Sequence, residues 1–135
     1  MSTENVALVS QWLDAYNGRD SRFVAALLDP EVEWRSIGAP VSGAEAIRGR
    51  DAVVRFLFED VLGAMPDFRV AIEEIRDLPG DQVLLIAQYE GHGGASGAAF
   101  SHDSAAIFRF RAGVITFFQD FAVRDQALKA VGLEE

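Results

Sequence analysis

The chain contains no cysteine, which removes disulfides, thiolate nucleophiles and cysteine metal clusters from consideration. Basic residues are scarce: 12 Lys and Arg stand against 21 Asp and Glu, a formal net charge of −9 at pH 7. That balance argues against nucleic acid and anionic membranes as partners, since both are gripped by a basic face. No apolar run approaches the ~20 residues that cross a bilayer. The opening MSTENVALVSQW has no basic segment ahead of an apolar core, so no secretory signal is read there. Low-complexity stretches, internal repeats and linker-like segments are also missing. What remains is 135 residues, 50% of them hydrophobic, enough to bury a core. The expectation is one soluble, cytoplasmic domain spanning residues 1–135.

Apolar spacing changes once along the chain. Residues 4–17 carry Val6, Val9, Trp12, Leu13 and Tyr16 at helical intervals, with Ser2 or Thr3 as cap and Asn17-Gly18 as stop. A second helix is expected under Asp20 or Ser21, with Phe23, Val24, Leu27 and Leu28 inward and Pro30 ending it. EVEWRS (31–36) alternates like a strand, and 37–48 reads as a loop. Asp51 is the expected N-cap of a third helix through Ala64, with Val54, Leu57, Phe58 and Val61 on one face. After Pro66 the period becomes two. Strands are expected at 68–77, 82–92, 100–111 and 114–123, and a last helix at 124–131. Helices followed by a run of strands predict an α+β domain whose antiparallel sheet bends around the helices.

One strand poses a chemical question. VITFFQDFAV (114–123) is apolar enough to be buried, yet carries Asp120 at its centre, and a buried, unpartnered carboxylate is expensive. Alternation within the other strands puts Ile86, Gln88, Glu90 and His92 on one face, and Leu85, Ala87 and Tyr89 on the other. Likewise His102, Ser104, Ala106 and Phe108 share a face, opposite Asp103, Ile107, Arg109 and Arg111. If the polar faces coincide, Gln88, Glu90, His102, Ser104 and Asp120 line a cavity walled by Trp12, Tyr16, Trp34, Phe58, Phe108 and Phe118. Two carboxylates there could divide general acid and base duties, as apolar surroundings separate their pKa values. The open alternative pairs Glu90 and Asp120 with Arg55, Arg109 or Arg124 at the surface and leaves the aromatics as plain core. His92, His102 and Glu90 have no recognised metal-ligand spacing, so no metal is expected. Gly91, Gly93, Gly94 and Gly97 precede no helix and make no phosphate loop.

DAYNGRD (14–20), ALLDPEVEW (26–34), GRDAVVRF (49–56) and IFRFRAGVITFFQDF (107–121) together resemble the nuclear transport factor 2-like superfamily, and its SnoaL-like branch within it. The resemblance implies a conical barrel of curved sheet around helices, a deep pocket for a hydrophobic small molecule, and a homodimer through the sheet. Ile107, Arg109, Phe117 and Phe121, opposite the proposed pocket, are the expected dimer face. The ketosteroid isomerase acid positions look like Trp12, Trp34 and Ala106 here. Limonene epoxide hydrolases are matched by Gln88-Tyr89-Glu90 and by Asp120, with Gln in place of their Arg and with Trp34 and Ser36 at their water-holding positions. SnoaL-like polyketide cyclases use an acid–base Asp on the last long strand, which Asp120 matches, with His102 placed to assist. The implied activity is cofactor-independent acid–base chemistry on a hydrophobic carbonyl compound. Asp120, His102, Glu90 and Gln88 are the candidate catalytic set.

Overall fold

Helix α1 (Thr3–Asn17) presents Val9, Trp12, Leu13 and Tyr16 from one buried stripe and closes with the Gly18 amide on the Asp14 carbonyl at 2.9 Å. The computed structural model describes residues 3–37 and 46–132. The expected Ser2 cap and residues 38–45 of the expected 37–48 loop lie outside that range. Arg19, at φ 63°, turns the chain, and its guanidinium donates to the carbonyls of Tyr16, Asn17, Pro66 and Phe68. Helix α2 (Ser21–Ala26) starts under Asp20, whose carboxylate accepts from the Phe23 amide at 3.1 Å.

The second helix is shorter than its spacing predicts. Leu28 does not extend it but opens strand β1 (Leu28–Arg35), so Pro30 lies inside a strand. Proline disfavours a helical residue before it, which forces Asp29 into extended backbone. The strand tolerates the missing amide because its pairing is irregular between Leu28 and Glu33. Within the expected loop, Ile47–Arg48 form a short strand β2 that pairs with Glu33 and Trp34.

Helix α3 (Arg50–Arg55) begins at Gly49 rather than Asp51, with Gly49 at φ 95°, a left-handed value that a side chain would strain. Asp51 instead sits in the first turn, where the helix dipole favours a carboxylate. The helix widens into a π-helical turn (Phe56–Val61) before a last α-turn, α4 (Leu62–Ala64). The buried residues, Val53, Phe56 and Leu57, keep the helical spacing of three and four but share only Leu57 with the expected face.

Strands β3 (Arg69–Leu78), β4 (Gln82–His92), β5 (Ala99–Arg111) and β6 (Val114–Phe121) follow as the change of period predicts. The order across the sheet is β2-β1-β6-β5-β4-β3, with β1 and β6 parallel and the rest antiparallel. The architecture is α+β, a curved sheet with helices against its inner face. It is not a closed barrel, since β2 and β3 remain its edges. A second core lies on the outer face, where helix α5 (Arg124–Ala130) sets Ala127 against Leu84, Ala105 and Ile107. The outer face expected to stay open therefore does not at Ile107, which is buried, while Arg109 stacks its guanidinium 4.4 Å from the Phe117 ring centre. Among the described residues no helix is long and apolar enough to cross a membrane.

Candidate active site

Strand register decides which side chains meet. Tyr89 lies opposite His102, Ala87 opposite Ser104 and Leu85 opposite Ala106; Ala106 in turn faces Asp120, and Phe108 faces Phe118. Directly opposed residues of an antiparallel ladder project to the same face. Tyr89, His102, Ser104 and Asp120 therefore share the inner face. Gln88 and Glu90 do not. They oppose Asp103 and Ser101 on the outer face, where Gln88 donates to Asp103 and Glu90 pairs with Arg69, both at 3.2 Å. Alternation within β4 fixes parity but not which parity faces in, and here the more apolar set, Leu85, Ala87 and Tyr89, is the inner one. His92, on the outer parity, pairs its Nδ1 with Asp67 Oδ2 at 2.7 Å, with both side chains exposed.

Between sheet and helices lies a cavity of about 640 Å³. Its wall is an aromatic array: Trp34 stacks on Phe118 with centroids 4.0 Å apart, Trp12 lies 5.5 Å from Trp34, and Phe108 meets Phe118 edge-on at 5.0 Å. The polar ends of two wall residues are used by the backbone. Trp12 Nε1 donates to the Val24 carbonyl at 3.0 Å, and the Tyr16 hydroxyl to the Leu57 carbonyl at 2.9 Å. These residues thus give the cavity ring faces only. Phe58 stands behind the wall, edge-on to Tyr16, and Ser104 is buried beneath it with its hydroxyl 3.5 Å from the His102 carbonyl; neither borders the cavity.

Three polar groups converge at one end. Asp120, 5% exposed, accepts through Oδ1 from the Ile37 amide and through Oδ2 from the Tyr89 hydroxyl, each at 2.8 Å. Burial pushes its pKa up, and the two donors and the nearby His102 pull it partly back. The Tyr89 hydroxyl is held well above its ordinary pKa by burial and by the Asp120 charge. His102 stacks its ring parallel to Phe100 at 6.4 Å and lines the cavity, and its buried Nε2 has no hydrogen-bond partner among the described residues. A buried polar atom without a partner calls for one.

Sequence reasoning missed Tyr89, the Ile37 amide and Asp60, which stands at the cavity rim. The inward positions of β4 are Tyr89 and Gly91, so Glu90 and Asp120 do not form the two-carboxylate pair of an epoxide hydrolase. At Gly91 a Cβ would stand 3.2 Å from the Phe68 Cα, leaving no space for an inward acid.

A curved sheet packed on helices in this way is the fold of NTF2-like and ketosteroid isomerase-like proteins. Residues 9–118 match the model of the SnoaL-like domain, and the chain belongs to that family. No curated protein matches it. Among solved structures, an NTF2-like protein from Burkholderia thailandensis is 26% identical with full coverage of both chains (100% and 100%) and a TM-score of 0.77. IdmH, a candidate polyketide cyclase from Streptomyces antibioticus, is 17% identical over 96% of this chain and 99% of its own, with a TM-score of 0.76. A Mycobacterium tuberculosis protein in complex with estradiol-17β-hemisuccinate is 20% identical over 85% and 90%, with a TM-score of 0.72.

Proposed function

We propose that this protein is a SnoaL-like enzyme of cyclase or isomerase type, performing cofactor-independent acid–base chemistry on a hydrophobic carbonyl compound. The observation that carries the reading is Asp120: a carboxylate buried on the wall of an apolar cavity and held by two uncharged donors, the Ile37 amide and the Tyr89 hydroxyl. Such surroundings bring a carboxylate toward the pKa that proton abstraction needs near neutral pH. In the proposed step Asp120 takes a proton from the carbon next to the substrate carbonyl, and the C–H electrons pass into the carbonyl to form an enolate. Once Asp120 is protonated it no longer needs the Tyr89 hydroxyl as a donor, which can turn to the enolate oxygen. Ring closure on a second carbonyl, or reprotonation at another carbon, then releases the product and restores the carboxylate.

The size of the cavity supports a substrate of two to four fused rings, since small-molecule pockets span roughly 300–1,000 Å³. The steroid ester held by the mycobacterial structure is in that range. Exchange of the enolisable protons of 2-tetralone in D2O, followed by NMR, tests the reading. Wild type should accelerate the exchange and Asp120→Asn should not; equal rates for the two proteins would remove Asp120 as the base.

A further inference from the structure

The charged side chains that border the cavity are both acidic. Among the described residues, Asp60 and Asp120 line it and no Lys or Arg does. Asp60 is exposed and stands at the rim, whereas Asp120 is buried. Asp60 borders the cavity together with Phe56, Leu57 and Val61, which share one face of the helix at spacings of three and four residues.

We infer that the cavity discriminates by charge, admitting neutral carbonyl compounds and rejecting carboxylates and phosphates, with Asp60 as the specificity-determining residue at its entrance. The inference rests on the reading of the cavity as a carbonyl-ligand site and does not require that Asp120 be catalytic. An anion entering would leave water for an apolar wall, meet two like charges, and find no guanidinium or ammonium to replace its hydration. A ketone carries no charge and has no such penalty. The repulsion from Asp60 acts partly through solvent and weakens with salt, while that from Asp120 acts in the dry interior and does not.

Calorimetric titration with two molecules of nearly one shape tests the inference: 2-acetylnaphthalene, a neutral methyl ketone, and 2-naphthoate, its carboxylate counterpart. The ketone should bind at least about tenfold more tightly at pH 7.5 and low ionic strength. Asp60→Asn should narrow the ratio about threefold by strengthening naphthoate binding alone, and 0.5 M NaCl should narrow it similarly in the wild type but not in the variant. Equal affinities, tighter naphthoate binding, or a ratio unmoved by Asp60→Asn would overturn the inference. Failure of both molecules to bind would overturn it together with the ligand-site reading. Selective ketone binding with no proton exchange in the wild type would leave it standing and remove only the catalytic step.

Discussion

The Tyr89 hydroxyl reaches Asp120 Oδ2 at 2.8 Å across an intervening strand, since β5 lies between β4 and β6. By register Tyr89 is level with His102 and Asp120 with Ala106, so the bond runs diagonally over the inner face of β5, where the residue between those two is the small Ser104. The bond favours the charged form of Asp120 and so restrains the rise in pKa that burial causes. Tyr89→Phe removes that restraint. The acid limb of the exchange-rate profile should move to higher pH, and the rate at neutral pH should fall about 10-fold or more through loss of the enolate donor. An unmoved limb would show that the bond does not tune Asp120.

Asp120 also leaves a signature in stability. Its folded pKa lies above its ordinary value of 3.8, so the native state holds this proton after the unfolded chain has released it. Stability from this group is intact below pH 3.8 and declines as pH rises through the folded pKa, at about 1.4 kcal/mol for each pH unit between the two. Asp120→Asn lacks that decline. Melting temperatures from pH 3.5 to 8 should show the variant gaining on the wild type with rising pH and at least equalling it at pH 8. A gap that is flat with pH would place Asp120 at an ordinary pKa.

Glu90 and Gln88 provide the opposite control. Both lie on the outer face with surface partners, Arg69 and Asp103. Glu90→Gln and Gln88→Ala should each change ketone affinity and exchange rate by less than about twofold and stability by about 0.5 kcal/mol or less. A large loss of rate in Glu90→Gln would restore the two-carboxylate mechanism.

Most of the fold was legible because the helices and long strands are written in their own periods. Asp120 was legible for the same reason: a charge amid Val, Ile and Phe stands out against the strand that carries it. The misassignments share one physical cause, which is that a neighbour in space decides the outcome. Tyr89 belongs to the cavity through the register of β4 on β5, and periodicity within one strand cannot supply register. Strand β2 consists of two residues whose structure exists only against Glu33 and Trp34. Asp60 is a different case: it lies four residues after Phe56 and three after Leu57, on the same helix face, and a charged residue does not stand out as part of an apolar stripe. The apolar bias of Leu85, Ala87 and Tyr89 over Ile86, Gln88 and Glu90 was the available signal for the inner face of β4, and hydrophobic burial followed it.

Tyr16 separates wall from machinery. Its ring belongs to the aromatic array, but its hydroxyl is committed to the Leu57 carbonyl within the π-helical turn. Tyr16→Phe keeps the ring and leaves that carbonyl without its side-chain donor, a loss of about 1–3 kcal/mol in a domain stable by roughly 5–15. The melting temperature should fall by several degrees while the exchange rate at 20 °C stays within about twofold, because no proton of the reaction passes through this hydroxyl. The bond also holds the turn that carries Asp60, so the preference for the ketone over naphthoate should weaken in the same variant. A drop in exchange rate of 100-fold, with stability unchanged, would move Tyr16 from the wall into the chemistry.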